Sequence, residues 1–253
     1  MSGGLLLLHG LAGGRLAWRP LRERLPAGLP VRAPELPWSA AAPRWDHRAD
    51  PLRVAAAAMA AVPGGVPDAV VAHSYAANVL LSLLADRARP RPSAVVLVAP
   101  FYRASEQDFE WATMTRYMAG FLPLIDEGLR VGSAGRLTPE VRESMALRVR
   151  DRLGPYGWIR FFDAYLRTPF LDTAAVDLPV LIVGGEQDPA ARPQDARALA
   201  AALPDCRLEL LDGCGHNAMI EHPDRFAAVV REFLSRFLPI PTTTPIREQP
   251  EPI

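Results

Sequence analysis

Apolar positions fall into two patterns that alternate along the chain: short unbroken runs and longer stretches at helical spacing. Unbroken runs occupy residues 5–8, 69–72, 94–98 and 179–183, of which Leu-Leu-Leu-Leu and Ala-Val-Val-Leu-Val are typical. They are shorter than an ordinary helix and apolar on both sides, the pattern of strands buried on both faces of a parallel sheet. Weaker runs at 31–34 and 207–211 bring the set to six. Between them, Ala76, Val79, Leu80, Leu83 and Leu84 recur at helical spacing, as do Phe226, Val229, Val230, Phe233 and Leu234 within an amphipathic stretch over 223–237. Further helices are predicted around Trp18, Leu21 and Leu25, over 51–62 and over 194–203. This alternation predicts an α/β fold with a six-stranded, mainly parallel sheet, whose functional loops gather at the strands' carboxyl ends.

One segment departs from the alternation. Residues 101–172 carry no strand signal; their helical stretches are interrupted at Gly120, Gly132, Gly135, Pro139, Gly154 and Pro155. They are also rich in aromatics, among them Phe101, Trp111, Tyr117, Phe121 and Trp158. A helical excursion between two strands predicts an inserted lid over 101–172, with residues 1–100 and 173–238 as the core. Most of the lid's aromatics are expected to pack against the core and a minority to face a pocket. Residues 239–253 are proline-rich and polar, which predicts a disordered tail.

Composition narrows the function more than the fold. The 28 basic and 28 acidic residues balance, and no dense basic stripe appears, so a nucleic-acid partner is not expected. The two cysteines, Cys206 and Cys214, are too few for a disulfide framework and not at metal-ligand spacing, and read as reduced structural thiols. The first apolar run is too short to span a bilayer and has no basic stretch before it, so the expectation is a cytoplasmic protein without stable membrane association. After that run comes His9-Gly10-Leu11-Ala12-Gly13-Gly14, which lacks both the Walker lysine and the dinucleotide spacing. Neither cofactor nor metal is implied.

The candidate chemistry sits where the predicted strands end. The run at 69–72 stops at His73-Ser74-Tyr75 and a helical pattern starts at once, so Ser74 lies on a sharp strand-to-helix turn between the small residues Ala72 and Ala76. That turn lifts a hydroxyl above the sheet edge and aims the first N–H groups of a helix at developing negative charge. A serine here also serves as an ordinary helix N-cap. The fifth run closes in Gly184-Gly185-Glu186-Gln187-Asp188-Pro189, an acidic turn, and the sixth in Asp212-Gly213-Cys214-Gly215-His216-Asn217.

Serine, acid and histidine in this order, each at its own strand end, resemble the α/β-hydrolase family from about residue 5 to 237. The family's nucleophile elbow most often carries glycine where Ala72 and Ala76 stand, and the resemblance implies a sheet that starts at what is usually the family's third strand, without the first two. The resemblance implies Ser74 as nucleophile, Asp188 as the acid in preference to Glu186 or Asp195, and His216 as the base in preference to His222. It also implies Leu11 and Tyr75 as oxyanion-hole donors, with His9 a structural loop histidine. Trp38, Phe101, Trp111, Tyr117, Phe121, Trp158 and Met219 are the candidates for the substrate pocket. The activity implied is serine-dependent hydrolysis of an ester, lactone or thioester with a small-to-medium hydrophobic acyl group. A non-hydrolytic cyclase or lyase on the same residues, and a ligand-binding protein that has lost catalysis, are the alternatives.

Overall fold

A computed structural model describes residues 4–40 and 49–238 of the chain. The predicted tail at 239–253 lies outside the described residues. Six strands form one sheet: β1 (Leu5–Leu8), β2 (Val31–Arg32), β3 (Ala69–His73), β4 (Ala94–Val98), β5 (Val180–Gly185) and β6 (Cys206–Leu211). Their order is β2-β1-β3-β4-β5-β6, and all five pairings are parallel. The unbroken apolar runs are unbroken because both faces are covered. Leu6, Leu8, Val70, Ala72, Val95, Leu97, Val180 and Ile182 point into one core, and Leu5, Leu7, Val71, Val96, Leu181 and Val183 into the other. Alternate residues of each strand thus serve opposite cores, as the pleat requires.

Among the described residues the helices are α1 (Arg19–Arg22), α2 (Pro51–Ala60), α3 (Tyr75–Leu84), α4 (Trp111–Gly132), α5 (Pro139–Leu166), α6 (Pro193–Ala202), α7 (Ala218–Glu221) and α8 (Pro223–Leu234). Residues of α2, α3 and α6 pack in the first core, those of α1, α7 and α8 in the second. After β1 the chain moves outward to β2 and then crosses back to β3 on the other side of β1. The carboxyl ends of β1 and β3 therefore flank the topological switch point, where open α/β sheets bind ligands.

Several boundaries differ from the sequence reading, each for a local reason. The helix predicted through Trp18, Leu21 and Leu25 is one turn of 3-10 helix (Arg15–Trp18) followed by the short α1, and Leu25 lies beyond it. β2 stops at Arg32, two residues before Pro34, which has no N–H to give a ladder. Gly120 does not interrupt α4, which runs through it and through Pro123 as well. A single glycine costs a helix interior only about 1 kcal/mol against alanine. Gly154 does break the backbone, with φ of 64° inside α5 just before Pro155.

The helical segment between β4 and β5 is tied down at both roots. Asn78 on α3 donates its amide to the Phe101 carbonyl at 2.6 Å and accepts the Phe101 N–H at 3.0 Å. At the other root Tyr165 donates its hydroxyl to buried Asp195 at 3.0 Å and accepts from Arg103 Nε at 2.9 Å.

At the end of β5 the backbones approach so closely that a Cβ on Gly185 would lie 2.2 Å from the carbonyl oxygens of both Cys214 and Gly215. Gly185→Ala is therefore expected to lower unfolding free energy by about 1–3 kcal/mol or more, because main chain and not a flexible side chain must give way. Gly120→Ala, whose Cβ meets nothing within 4 Å, is expected to be neutral or stabilising by up to about 1 kcal/mol. Urea denaturation of the two variants compares them directly.

Candidate active site

Four loops meet at the carboxyl edge of the sheet, and each is held by contacts of its own. Ser74 follows β3 with φ of 56° and ψ of −123°, a conformation that side-chain-bearing residues avoid at a cost of roughly 1–3 kcal/mol. Its N–H is bonded to the Val98 carbonyl of β4 at 2.8 Å, and its side chain makes no capping bond to α3. The N-cap role thus leaves the hydroxyl unused. Gly10, after β1, presses against this turn: a Cβ there would stand 2.9 Å from Ser74 Cβ and 3.1 Å from the His73 carbonyl oxygen.

Ser74 Oγ lies 3.0 Å from His216 Nε2, and His216 Nδ1 lies 2.7 Å from Asp188 Oδ2. The carboxylate accepts at Oδ2, so Nδ1 carries the proton and Nε2 is left to accept from the serine. Asp188 is aimed by its own turn, whose Ala190 and Ala191 N–H groups donate to Oδ1 at 2.8 and 3.0 Å. All three residues are buried, with 7, 4 and 5 % exposure for Ser74, Asp188 and His216. Glu186 is exposed and Asp195 bonds to Tyr165, so neither is the histidine's partner. His222 donates to the Gly213 carbonyl and stays outside the cluster.

Two supports for His216 were not singled out from the sequence. Glu221 accepts the N–H of Gly215 at 2.8 Å and of Asn217 at 2.7 Å, clamping the loop on both sides of the histidine. His73 donates from Nε2 to the His216 carbonyl at 2.9 Å. Burial, and then the nearby His216 ring, push His73 down to about 3, so it is neutral in ordinary buffers. Position 73, next to the elbow serine, was the one available signal for it. His9 is structural as expected: Nδ1 donates to the Gly10 carbonyl, Nε2 accepts the Leu36 N–H, and burial holds its pKa low.

A cavity of about 790 Å³ opens over Ser74 and His216, lined by the loop after β1 with Leu11, by α4, and by residues of α5 and α7. Of the pocket candidates, Phe101, Tyr117, Phe121 and Trp158 line it. The other three do not. Trp38 is buried beneath, donating its indole N–H to the His9 carbonyl at 3.0 Å and meeting the Tyr75 ring edge-on at 5.2 Å. Met219 is wholly buried in the second core, and Trp111 is 88 % exposed. Trp111 sits roughly 140° around α4 from the cavity-facing row that begins at Arg116, at 3.6 residues per turn. Phe161 of α5 and Ile220 of α7 also line the cavity and were not anticipated.

The model for the Alpha/beta hydrolase family matches residues 5–229. This chain belongs to the alpha/beta hydrolase family. It is 29% identical to a pimeloyl-[acyl-carrier protein] methyl ester esterase of Aromatoleum aromaticum, over 90% of this chain and 96% of that one. A protein of the same name from Neisseria meningitidis is 27% identical over 93% of this chain and 78% of its own length. Among solved structures, the bromoperoxidase of Bacillus anthracis superposes with a TM-score of 0.71 at 17% identity, covering 93% of this chain and 92% of that one. Among the described residues of this alpha/beta hydrolase, no three His, Cys, Asp or Glu side chains are grouped to hold a metal ion, and no helix is long and apolar enough to cross a membrane.

The low value at His73 carries a pH signature. The unfolded chain takes up a proton near 6.5 that the folded one refuses until about 3, so this residue makes stability fall as pH drops through that window. His73→Gln should remove up to about 1.4 kcal/mol per pH unit of that slope. Equal slopes for the two proteins in urea unfolding across the window would contradict the assignment.

Proposed function

We propose that this alpha/beta hydrolase is a carboxylic ester hydrolase that works through an acyl-enzyme on Ser74. The observation that carries the reading is the unbroken chain of contacts from Asp188 Oδ2 through the His216 ring to Ser74 Oγ, at 2.7 and 3.0 Å, beneath an apolar cavity. His216 Nε2 takes the Ser74 proton as Oγ attacks the acyl carbonyl carbon, and Asp188 holds the resulting imidazolium in place. The N–H groups of Leu11 and Tyr75 receive the oxyanion; one follows β1 and the other opens α3, on either side of the switch point. His216 then returns its proton to the departing alcohol, and water, deprotonated by the same nitrogen, cleaves the acyl-enzyme. The relatives named as methyl ester esterases favour an oxygen ester over a lactone or thioester. The aromatic lining from Phe101, Tyr117, Phe121 and Trp158 favours hydrophobic acyl groups, with the helical segment over 101–172 acting as the lid.

A fluorophosphonate probe should label the wild-type protein at Ser74. Ser74→Ala should abolish labelling and lower kcat on p-nitrophenyl esters by about five to six orders of magnitude with an unchanged circular dichroism spectrum. Labelling without turnover of any ester would favour the non-hydrolytic alternative, and no labelling at all a binding protein.

The two neighbouring carboxylates separate in a second measurement. Asp188→Asn leaves an amide that favours the wrong histidine tautomer and should cost roughly 10⁴ in kcat. Glu186→Gln, on an exposed side chain, should change it by less than about threefold.

A further inference from the structure

The cavity is longer than the chemistry at Ser74 requires. Arg116, Gly120, Leu124, Gly128 and Gly132 all line it, four residues apart, so one row along α4 faces it throughout. The adjacent row of Tyr117, Phe121, Ile125 and Leu129 lines it too. At 1.5 Å per residue this roof is about 24 Å long. The lining also includes Leu16, Ala17, Pro20 and Ile220, all apolar. Charge is confined to Arg116 and Arg19, both exposed, and Arg19 is paired with Glu23. Gly132, which ends the row, and Leu16 are exposed.

Two glycines in this roof have no reason in the backbone. Gly120 and Gly128 are inside the helix and neither has a positive φ. A Cβ on Gly120 would meet nothing within 4 Å, and one on Gly128 only the Asn217 amide nitrogen at 4.0 Å. Neither a turn nor a close helix contact therefore calls for glycine, although glycine is a poorer helix former than every residue except proline. Both positions border the cavity, so a side chain there would occupy its width.

We propose that the space beneath α4 is a groove for an unbranched, uncharged aliphatic chain of the ester, running along the row of Gly120, Leu124 and Gly128, with the two glycines setting its width. This rests on the ester-hydrolase reading above and names its substrate class: esters whose chain is longer than the aromatic compartment around Phe101 and Phe161 encloses. A flexible methylene chain buries apolar surface all along such a groove. The glycines are specificity determinants and take no part in the chemistry at Ser74.

The test measures kcat/KM on p-nitrophenyl acetate, butyrate, octanoate and dodecanoate, below the concentrations at which they form micelles. In the wild type the dodecanoate-to-acetate ratio should exceed unity by about tenfold or more. Gly120→Leu and Gly128→Leu keep a strong helix former in place and should each lower that ratio about tenfold or more, with Gly128→Ala lowering it less. A wild-type preference for acetate, or a ratio unchanged in the folded leucine variants, would overturn the proposal. If the leucine variants do not fold, the wild-type ratio and the alanine variant decide in the same way. Fluorophosphonate labelling run in parallel keeps the two readings apart. A labelled, acetate-hydrolysing enzyme with no chain preference defeats only the groove, and an unlabelled protein defeats the hydrolase reading beneath it.

Discussion

The reversal of the chain at Ser74 is the constraint on which the other features depend. A residue with a side chain is held at positive φ, and nothing local to it makes that favourable. The restraint is supplied from outside. β3 lies between β1 and β4 with both faces buried, the Ser74 N–H is fixed by Val98, and α3 is buried along nearly its whole length. Small residues at 10, 72 and 76 give the three backbones room to converge. The result is a hydroxyl free of its helix, set at the point where the sheet's strand order reverses.

Around that turn the polar groups are arranged so that Asp188 and His216 are positioned through main-chain groups of their loops. Asp188 is aimed by two N–H groups of its turn, and the His216 loop is clamped by Glu221 and by the neutral His73. The acid turn and the histidine loop are joined to each other, since Gln187 donates to the Cys214 carbonyl where Gly185 lets the strands' ends touch. Burial makes these contacts matter. A carboxylate or imidazole shielded from water gains more from each hydrogen bond, and loses more when one is missing, than an exposed group does.

The helical segment above is anchored by chemistry of a different kind. Asn78 grips its first root through both amide atoms, and the buried Asp195 receives Tyr165 at the second. Tyr117 joins the two parts, its ring in the cavity and its hydroxyl donating to the Ala190 carbonyl in the acid turn at 3.0 Å. The roof over the cavity is thereby referenced to the carboxyl edge of the sheet and not only to its own partner helix α5.

By itself, the sequence determined the strands, their alternation with helices, and the serine, acid and histidine at three strand ends, because those signals are local: a run apolar on both sides, a turn among small residues, a short motif in a loop. The resemblance of its turn to the family's favoured Asp188 over Glu186 and Asp195, and the contacts that set the other two apart belong to the folded chain. The tertiary structure alone decided which aromatics face the cavity. Trp38, Trp111 and Met219 are as apolar as Tyr117 and Phe121, and what separates them is the bond that holds Trp38 beneath the loop after β1, the rotation of α4 about its axis and the side of the sheet on which α7 packs. The same holds for His73 and Glu221, whose partners are carbonyl and N–H groups that every residue carries. Composition marks no backbone group as a partner, so contacts to backbone become legible only once distant segments are brought together.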